Sequence, residues 1–266
     1  MADGEIPVDE VPAGEILTGG VNRVERRGDR VLRPTGPWSP AVHGLLAHVR
    51  AAGFTAGPRF HGLSEDGREV LDFLPGEVPD YPPTPAAASR TALLDAARLL
   101  RAYHDATAGY TAEGWMLPAR EPAEVVCHGD YAPHNCVLDG ERVVGVIDFD
   151  TAHPGPRLWD VAHAVYRWAP TTAPGNADGF GTPDEQAVRV REFCDAYGLG
   201  RADREGLVDA IEARLHALVA HMRAEAAAGS AAFASHLADG HHLMYLSDAA
   251  YVVRERARFE AQLLAE

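Results

Sequence analysis

The hydrophobic pattern of the chain changes character once, near Ser89. Before this point, short runs rich in Val and Leu alternate with glycine turns, which is typical of antiparallel strands. Strand candidates lie within residues 14–34 and around residues 59–63 and 68–74. After it, Leu and Ala recur at helical spacing over long segments. This order predicts an α+β fold in which a small β-rich region precedes a larger, mainly helical one.

One helix is predicted inside the β-rich region, over residues 39–53. Ser39 is a favourable helix cap, Pro40 suits the first helical turn, and Gly53 is a typical stop. The Pro-rich segment GEVPDYPPTP then indicates a connection between two parts of the molecule. The chain is therefore predicted to form two lobes, residues 1–76 and residues 77–266.

A β-hairpin is predicted to interrupt the helical lobe. The runs NCVL and VVGVIDF are separated by Asp139-Gly140, a strong hairpin signal. Further helices are predicted over residues 157–168, 184–197, 203–227 and 231–263.

The composition argues against several classes of function. A net charge of −15 argues against binding to nucleic acid. No apolar run is long enough to span a membrane, and the first residues do not resemble a secretion signal, so a cytoplasmic location is expected. All 24 basic residues are arginine, which excludes mechanisms that need a lysine, including the phosphate loop G-x-x-x-x-G-K-[ST].

Polar residues gather in the middle of the chain, in VCHGDYAPHNCVLDGERVVGVIDFD (residues 126–150). His128, Asp130 and Asn135 form the pattern H-x-D-x-x-x-x-N, and Asp148 follows the next β-prone run. Phosphoryl transfer requires Mg²⁺ between the phosphates and an acceptor hydroxyl held in line. Because Mg²⁺ prefers oxygen ligands, Asn135 and Asp148 are candidate metal ligands. Asp130, on the loop between them, can orient a hydroxyl or accept its proton.

The motifs HGDYAPHN and VIDFD resemble those of the aminoglycoside phosphotransferase and choline kinase superfamily. The run GGVNRVERRGDRVLRPTGPWSPAVHGLLAHVRAAGF is also similar to a subgroup labelled phosphotransferase or trifolitoxin immunity protein. This resemblance extends over nearly the whole chain and implies a protein-kinase-like two-lobe fold. It implies that Asp130 is the catalytic base, that His128 braces the loop, and that Asp160 holds the loop through backbone amides.

The same resemblance implies Mg²⁺ as cofactor, ATP or GTP as phosphoryl donor, and a small hydroxyl compound as acceptor. An aminoglycoside, an amino sugar and an amino alcohol all fit. Acidic residues of the loop after residue 168 and of the following helix are expected to be available to attract a cationic acceptor: Asp178, Asp184 and Glu185.

The nucleotide site departs from the kinase pattern. Kinases hold the phosphates with a strand lysine that pairs with a glutamate on the following helix. Here Arg33 stands in place of the lysine, and the helix over residues 39–53 contains no acidic residue. Arginine can still grip a phosphate. Gly19 and Gly20 form either a phosphate-binding turn or a plain hairpin turn, and the resemblance places Phe73 and Leu74 near the nucleotide base.

Three alternatives stay open. The missing lysine and glutamate leave room for a binding or immunity protein that keeps the fold without efficient catalysis. Asp150 is either a second metal neighbour or a turn former. A zinc site of Cys127, His128, His134 and Cys136 is disfavoured, because the spacing matches no usual structural zinc pattern.

Overall fold

The computed structural model describes residues 14–17 and 24–265. Its strands are β1 (Glu15–Leu17), β2 (Val24–Arg27), β3 (Arg30–Arg33), β4 (Phe60–Leu63), β5 (Glu69–Asp72), β6 (Val125–Cys127), β7 (Cys136–Asp139), β8 (Arg142–Val146) and β9 (His153–Gly155). Its helices are α1 (Ser39–Ala51), α2 (Pro85–Ala88), α3 (Arg90–Thr107), α4 (Arg157–Trp168), α5 (Pro183–Tyr197), α6 (Arg201–Ala227), α7 (Ala231–Ala238), α8 (His241–Arg254) and α9 (Arg256–Leu263).

The first part of the molecule is an antiparallel sheet with the strand order β1-β2-β3-β5-β4. Its central pair, β3 and β5, places Arg33 directly opposite Glu69. Helix α1 buries Val42, Leu45 and Val49 in the hydrophobic core. A small antiparallel sheet with one helix is thus confirmed for this part of the chain.

The predicted helix cap at Ser39 is wrong in detail. Ser39 is the first helical residue and Trp38 occupies the cap position without a side-chain hydrogen bond. The Ser39 hydroxyl instead accepts a hydrogen bond from the Gly36 amide at 2.9 Å. Helix α1 ends at Ala51, and Gly53 follows with a φ of 94°, a conformation that favours glycine.

The predicted hairpin is confirmed as β7 and β8, with Gly140 at a φ of 57° in the turn. The segment that leaves the first sheet contacts this hairpin in space. The Glu77 and Leu138 backbones exchange two hydrogen bonds of 2.8 Å. Strand β6 pairs with β9 and leads into the loop that contains Asp130.

Helices form most of the rest, and α3, α4, α5 and α6 pack around a shared core that includes Leu100, Val165, Phe193 and Leu207. The single helix predicted over residues 231–263 is wrong. In the structure this segment forms three helices, α7, α8 and α9. The breaks occur at Gly240, which has a φ of 82°, and at Glu255, which leaves helical geometry at φ −89° and ψ 6°. None of the described helices is long and apolar enough to cross a membrane.

Candidate active site

The loop after β6 is fixed by one buried carboxylate. Asp160, in the first turn of α4, accepts hydrogen bonds from the His128 amide at 2.7 Å and the Gly129 amide at 3.0 Å. His104 lies 3.0 Å from the same carboxylate. Burial alone would raise the pKa of Asp160, but the hydrogen bonds from His104 and the backbone outweigh it and hold the pKa well below its usual range. The loop-holding contacts implied for Asp160 are therefore present, and His128 is fully buried as expected.

Asp130 lies at the end of this loop, with a side chain that is 39% exposed. His163 Nε2 contacts Asp130 Oδ1 at 2.9 Å, while Asn135 Nδ2 at 2.9 Å and His134 Nε2 at 3.3 Å contact Oδ2. Burial favours the neutral carboxyl, but the hydrogen bonds from His134 and His163 hold the pKa of Asp130 well below its usual range. Asp130 is thus an oriented, ionised carboxylate that still reaches the solvent.

The backbone just before Asp148 lies against Asn135, since the Asn135 carbonyl accepts a hydrogen bond of 2.9 Å from the Ile147 amide. Asn135 donates through Nδ2 to the Asp130 backbone and side chain, and this orientation leaves its Oδ1 free to bind a cation. Asp148 has a φ of 60°, a conformation that is uncommon outside glycine and is often found at functional sites. Its side chain is 46% exposed. This set of oxygen donors fits Mg²⁺.

Arg33 joins the sheet to the residues after β8. Its guanidinium donates to Glu69 and Asp150, and to Asp148 Oδ1 at 3.0 Å. Burial disfavours its charge, but the three carboxylates outweigh burial and raise the pKa of Arg33. Asp150 is therefore a partner of Arg33 and not a solvated turn residue.

Helix α1 contains no acidic residue, but Arg33 has a glutamate partner from another element. The partner, Glu69, comes from strand β5 and not from the following helix, and it is 1% exposed. Helix α1 still takes part through His43, whose Nε2 lies 2.6 Å from the other Glu69 oxygen. Only the β3–β5 strand pairing could have indicated this arrangement, because Arg33 and Glu69 are far apart in the sequence.

The other predicted nucleotide-binding residues have mixed outcomes. Gly19 and Gly20 lie outside the described residues. The Phe73 amide is already used, because it donates to the Asp29 carbonyl at 2.9 Å, and Arg26 lies 3.7 Å above the Phe73 ring. Leu74 lies against Gly145 of β8. The roles of Phe73 and Leu74 in base binding stay predictions.

The acidic residues expected to attract a cation are largely engaged. Glu185 forms a capping box with Thr182 at the start of α5. Asp184 pairs with Arg258, and Asp178 lies 3.7 Å from Arg167. These carboxylates therefore serve the helix terminus and arginine partners, which weakens the case for a cation site there.

Sequence analysis gave no role beside Asp130 to four further residues, of which it had considered only His134, as a disfavoured zinc ligand. His134 and His163 contact the Asp130 carboxylate, the Tyr81 ring lies 5.5 Å from the His134 ring, and Arg167 lies 4.0 Å above the Tyr81 ring. His134 lies inside the recognised motif, so its position was the available signal. Tyr81, His163 and Arg167 come from other segments and carry no signal of their own.

Comparison with known proteins identifies phosphotransferase relatives of this chain. A model of the phosphotransferase enzyme family matches residues 111–207. The trifolitoxin immunity protein of Rhizobium leguminosarum bv. trifolii is 35% identical over 202 residues, which cover 72% of this chain and 76% of that protein. The homoserine kinase of Methylobacillus flagellatus is 46% identical over 72 residues, covering 27% of this chain and 20% of that enzyme.

Two solved structures show the same fold. A choline/ethanolamine kinase family protein from Mesorhizobium loti has a TM-score of 0.64 at 18% identity, and the match covers 96% of this chain and 94% of that one. Aminoglycoside 2'-phosphotransferase-IIIa, in its GDP complex, has a TM-score of 0.55 at 12% identity, with coverage of 94% and 93%. The predicted two-lobe, protein-kinase-like fold is confirmed.

Proposed function

Because the chain belongs to the superfamily of aminoglycoside phosphotransferases and choline kinases, in the subgroup of the trifolitoxin immunity protein, we propose that it is a Mg²⁺-dependent phosphotransferase. It transfers the γ-phosphoryl group of ATP or GTP to a hydroxyl group of a small molecule. The observation that carries this proposal is the convergence of Asp130, Asn135 and Asp148, with Arg33 reaching the same place from the sheet.

Asp130 would act on the acceptor hydroxyl. Its oxygens are held by His163 and Asn135, so the carboxylate is oriented before the acceptor binds. The acceptor hydroxyl would donate a hydrogen bond to Asp130 and lose its proton to it as the new oxygen–phosphorus bond forms and the bond to the leaving diphosphate breaks. A low pKa makes Asp130 a weak base, which favours orientation of the hydroxyl as its main contribution.

Asn135 and Asp148 would hold Mg²⁺, which neutralises charge on the transferring phosphates when bound. Arg33 would supply a permanent positive charge beside them, with Glu69 and His43 keeping its guanidinium in place. In this proposal residues 1–76 carry most of the nucleotide site and residues 77–266 carry the catalytic and acceptor sites. A nucleoside triphosphate donor is consistent with the expected cytoplasmic location.

The donor site is tested by calorimetric titration of ATP and of GTP, each with and without Mg²⁺. Wild-type protein should bind one of these nucleotides more tightly when Mg²⁺ is present, and Asp148→Ala should lose this gain. Asp139→Ala is the matched control, because Asp139 lies exposed in the hairpin turn. Binding that does not respond to Mg²⁺ in wild type would remove Asp148 from the proposed metal site.

The catalytic role is tested by nucleoside diphosphate release in the presence of candidate acceptors. The names of the similar proteins suggest homoserine, choline, ethanolamine and aminoglycosides as a first panel of acceptors. Asp130→Asn should reduce turnover by roughly 10²- to 10⁴-fold, while its circular dichroism spectrum and nucleotide affinity stay unchanged. Turnover within a factor of two of wild type would exclude Asp130 from the reaction.

The similarity to the trifolitoxin immunity protein also favours a second candidate, a binding or immunity protein that does not turn over nucleotide. Arg33 supports this alternative, because it pairs with Asp148 and Asp150 and so competes with a metal ion for them. This candidate predicts ligand binding with no diphosphate release. Diphosphate release that depends on Asp148 would exclude it.

A further inference from the structure

Arg167, on α4, is a buried cation whose nearest partners are two aromatic rings, with its guanidinium 4.0 Å above the Tyr81 ring and 5.5 Å from the Tyr166 ring. Its side chain is 8% exposed. Among the residues that the structure describes, its one carboxylate neighbour is Asp178, at 3.7 Å, longer than the roughly 2.7–2.9 Å of a charge-assisted hydrogen bond. Because a charge removed from water is costly unless it is paired, the position of Arg167 indicates a missing anionic partner.

Two chains of contacts connect this cation to the candidate catalytic carboxylate. His163 contacts Asp130 at 2.9 Å, and Arg167 follows it by one helical turn on the same face of α4. From the other side, Tyr81 lies under the Arg167 guanidinium at 4.0 Å and against the ring of His134, which itself contacts Asp130.

Polar atoms without a partner surround the same place. Tyr81 Oη, His134 Nδ1 and His163 Nδ1 are buried and form no hydrogen bond within the described part of the chain. Most buried polar atoms in folded proteins are hydrogen-bonded, so three such atoms around one carboxylate are unusual. A ligand that carries both donors and acceptors would satisfy them.

The carboxylates nearby do not offer an equivalent site for a cation. Asp248 accepts hydrogen bonds from the Tyr166 hydroxyl, the Ala173 amide and Asn176 Nδ2, at 2.7–2.8 Å. Asp178 faces Arg167, and Asp130, which already contacts His163 and Asn135, is assigned to the acceptor hydroxyl. The charged group left to recognise a ligand is therefore the guanidinium.

We propose that the acceptor of this phosphotransferase carries a carboxylate beside its reacting hydroxyl, and that Arg167 binds this carboxylate. A guanidinium matches the two oxygens of a carboxylate in a bidentate pair, and Tyr81 can donate to one of them. The bound acceptor replaces Asp178 as the closest anion and directs its hydroxyl towards Asp130. This inference rests on the proposed function, and it names the chemical class of the acceptor.

The test compares acceptors that differ only in the carboxylate. L-Homoserine and L-serine are titrated calorimetrically, without nucleotide, against homoserinamide and serinamide, in which a carboxamide replaces the carboxylate. Choline and kanamycin represent acceptors with no anionic group. The proteins are wild type, Arg167→Gln, Arg167→Lys, Asp178→Asn, and the control Arg201→Gln, which removes one charge from an arginine that is 71% exposed.

The variants are expected to change the affinity for carboxylate compounds in different directions. Wild type and Arg201→Gln should bind a carboxylate compound at least tenfold more tightly than its amide. Arg167→Gln should lose roughly tenfold to hundredfold in affinity for the carboxylate compound, as expected for a charge-assisted pair, and Arg167→Lys should recover part of it. Asp178→Asn should tighten carboxylate binding, because it removes a competing anion.

Three results would overturn the proposal: binding of choline or kanamycin but of no carboxylate compound, equal binding of the carboxylate and amide members, or no binding of any carboxylate compound. Thermal unfolding identifies misfolded variants, and Arg167→Lys then decides in place of Arg167→Gln. Nucleotide titration on the same wild-type preparation distinguishes failure of the proposed acceptor class from failure of the proposed phosphotransferase function. Intact Mg²⁺-dependent nucleotide binding with no carboxylate preference rejects the acceptor class alone, whereas carboxylate binding without nucleotide binding rejects the phosphotransferase.

Discussion

At the scale of single residues, Asp160 is expected to contribute strongly to stability. It is fully buried and its carboxylate accepts from two loop amides and contacts His104. Asp160→Asn places an amide donor against backbone donors, so we expect a loss of roughly 3 kcal/mol in the free energy of unfolding, measured by urea denaturation. Asp105→Asn, at a carboxylate that is 49% exposed, should cost less than about 1 kcal/mol. Equal losses in both variants would contradict this role for Asp160.

His163 should make stability depend on pH. Burial lowers its pKa from 6.5 to about 4, so the unfolded chain binds a proton at this residue more readily than the folded one. Its contribution is therefore complete above pH 6.5 and is lost as the pH falls from 6.5 towards 4. Between pH 7 and pH 5, wild type should lose about 1 to 2 kcal/mol more than His163→Gln, in which glutamine keeps the donor to Asp130. Parallel stability curves for the two proteins would show that His163 does not titrate in this range.

At the scale of elements, the loop between β6 and the 3₁₀ turn Pro133–Asn135 depends on glycine at residue 129. Gly129 has a φ of 84°, and a Cβ there would lie 2.3 Å from the Thr151 carbonyl oxygen. Gly129→Ala should cost roughly 3 kcal/mol or more, because the clash adds to the unfavourable φ. Gly114→Ala separates the two effects, since Gly114 has a φ of 83° and open space around it, and should cost only about 1 kcal/mol. Urea denaturation of both variants measures the difference.

At the scale of the whole molecule, Arg33 is an ionic connection between the sheet and the candidate metal site. Arg33→Gln leaves Glu69 and Asp150 buried without their cation, so we expect a loss of roughly 3 kcal/mol in unfolding free energy at pH 7. Burial raises the pKa of Asp150 despite the opposing effect of Arg33, so part of this loss should disappear at pH 5, where removal of Arg33 leaves less buried negative charge. Arg30→Gln, on the same strand but 34% exposed, is the control and should change stability little.

The thermal stabilisation of the protein by Mg²⁺ should also change with the Arg33→Gln substitution. Because Arg33 and a metal ion would share Asp148, 10 mM Mg²⁺ is expected to raise the melting temperature of Arg33→Gln more than that of wild type. The measurement is thermal unfolding with and without Mg²⁺, with Ca²⁺ and Na⁺ as ionic controls. An equal response in both proteins would argue against a shared site at Asp148.

Much of the architecture could be predicted from local sequence. Glycine turns between β-prone runs, the Asp139-Gly140 hairpin and the helical repeats of α4 to α6 are local signals, and each produced an element close to the predicted range. The break at Gly240 had a local signal, Asp239-Gly240, which the prediction of one long helix overlooked. The break at Glu255 carries no comparable turn signal in the sequence.

The sequence by itself determined the fold class, the family resemblance and the order of Asp130, Asn135 and Asp148, because these depend on short-range patterns and on spacing within one segment. Only the tertiary structure decided which residues support and surround them. Glu69 reaches Arg33 across a strand pair, and His163 and Arg167 reach Asp130 from a helix that follows the hairpin. Such partners are brought together by strand register and helix packing, which are determined by burial over the whole chain. The local sequence around each residue therefore carries no pattern that predicts the contact.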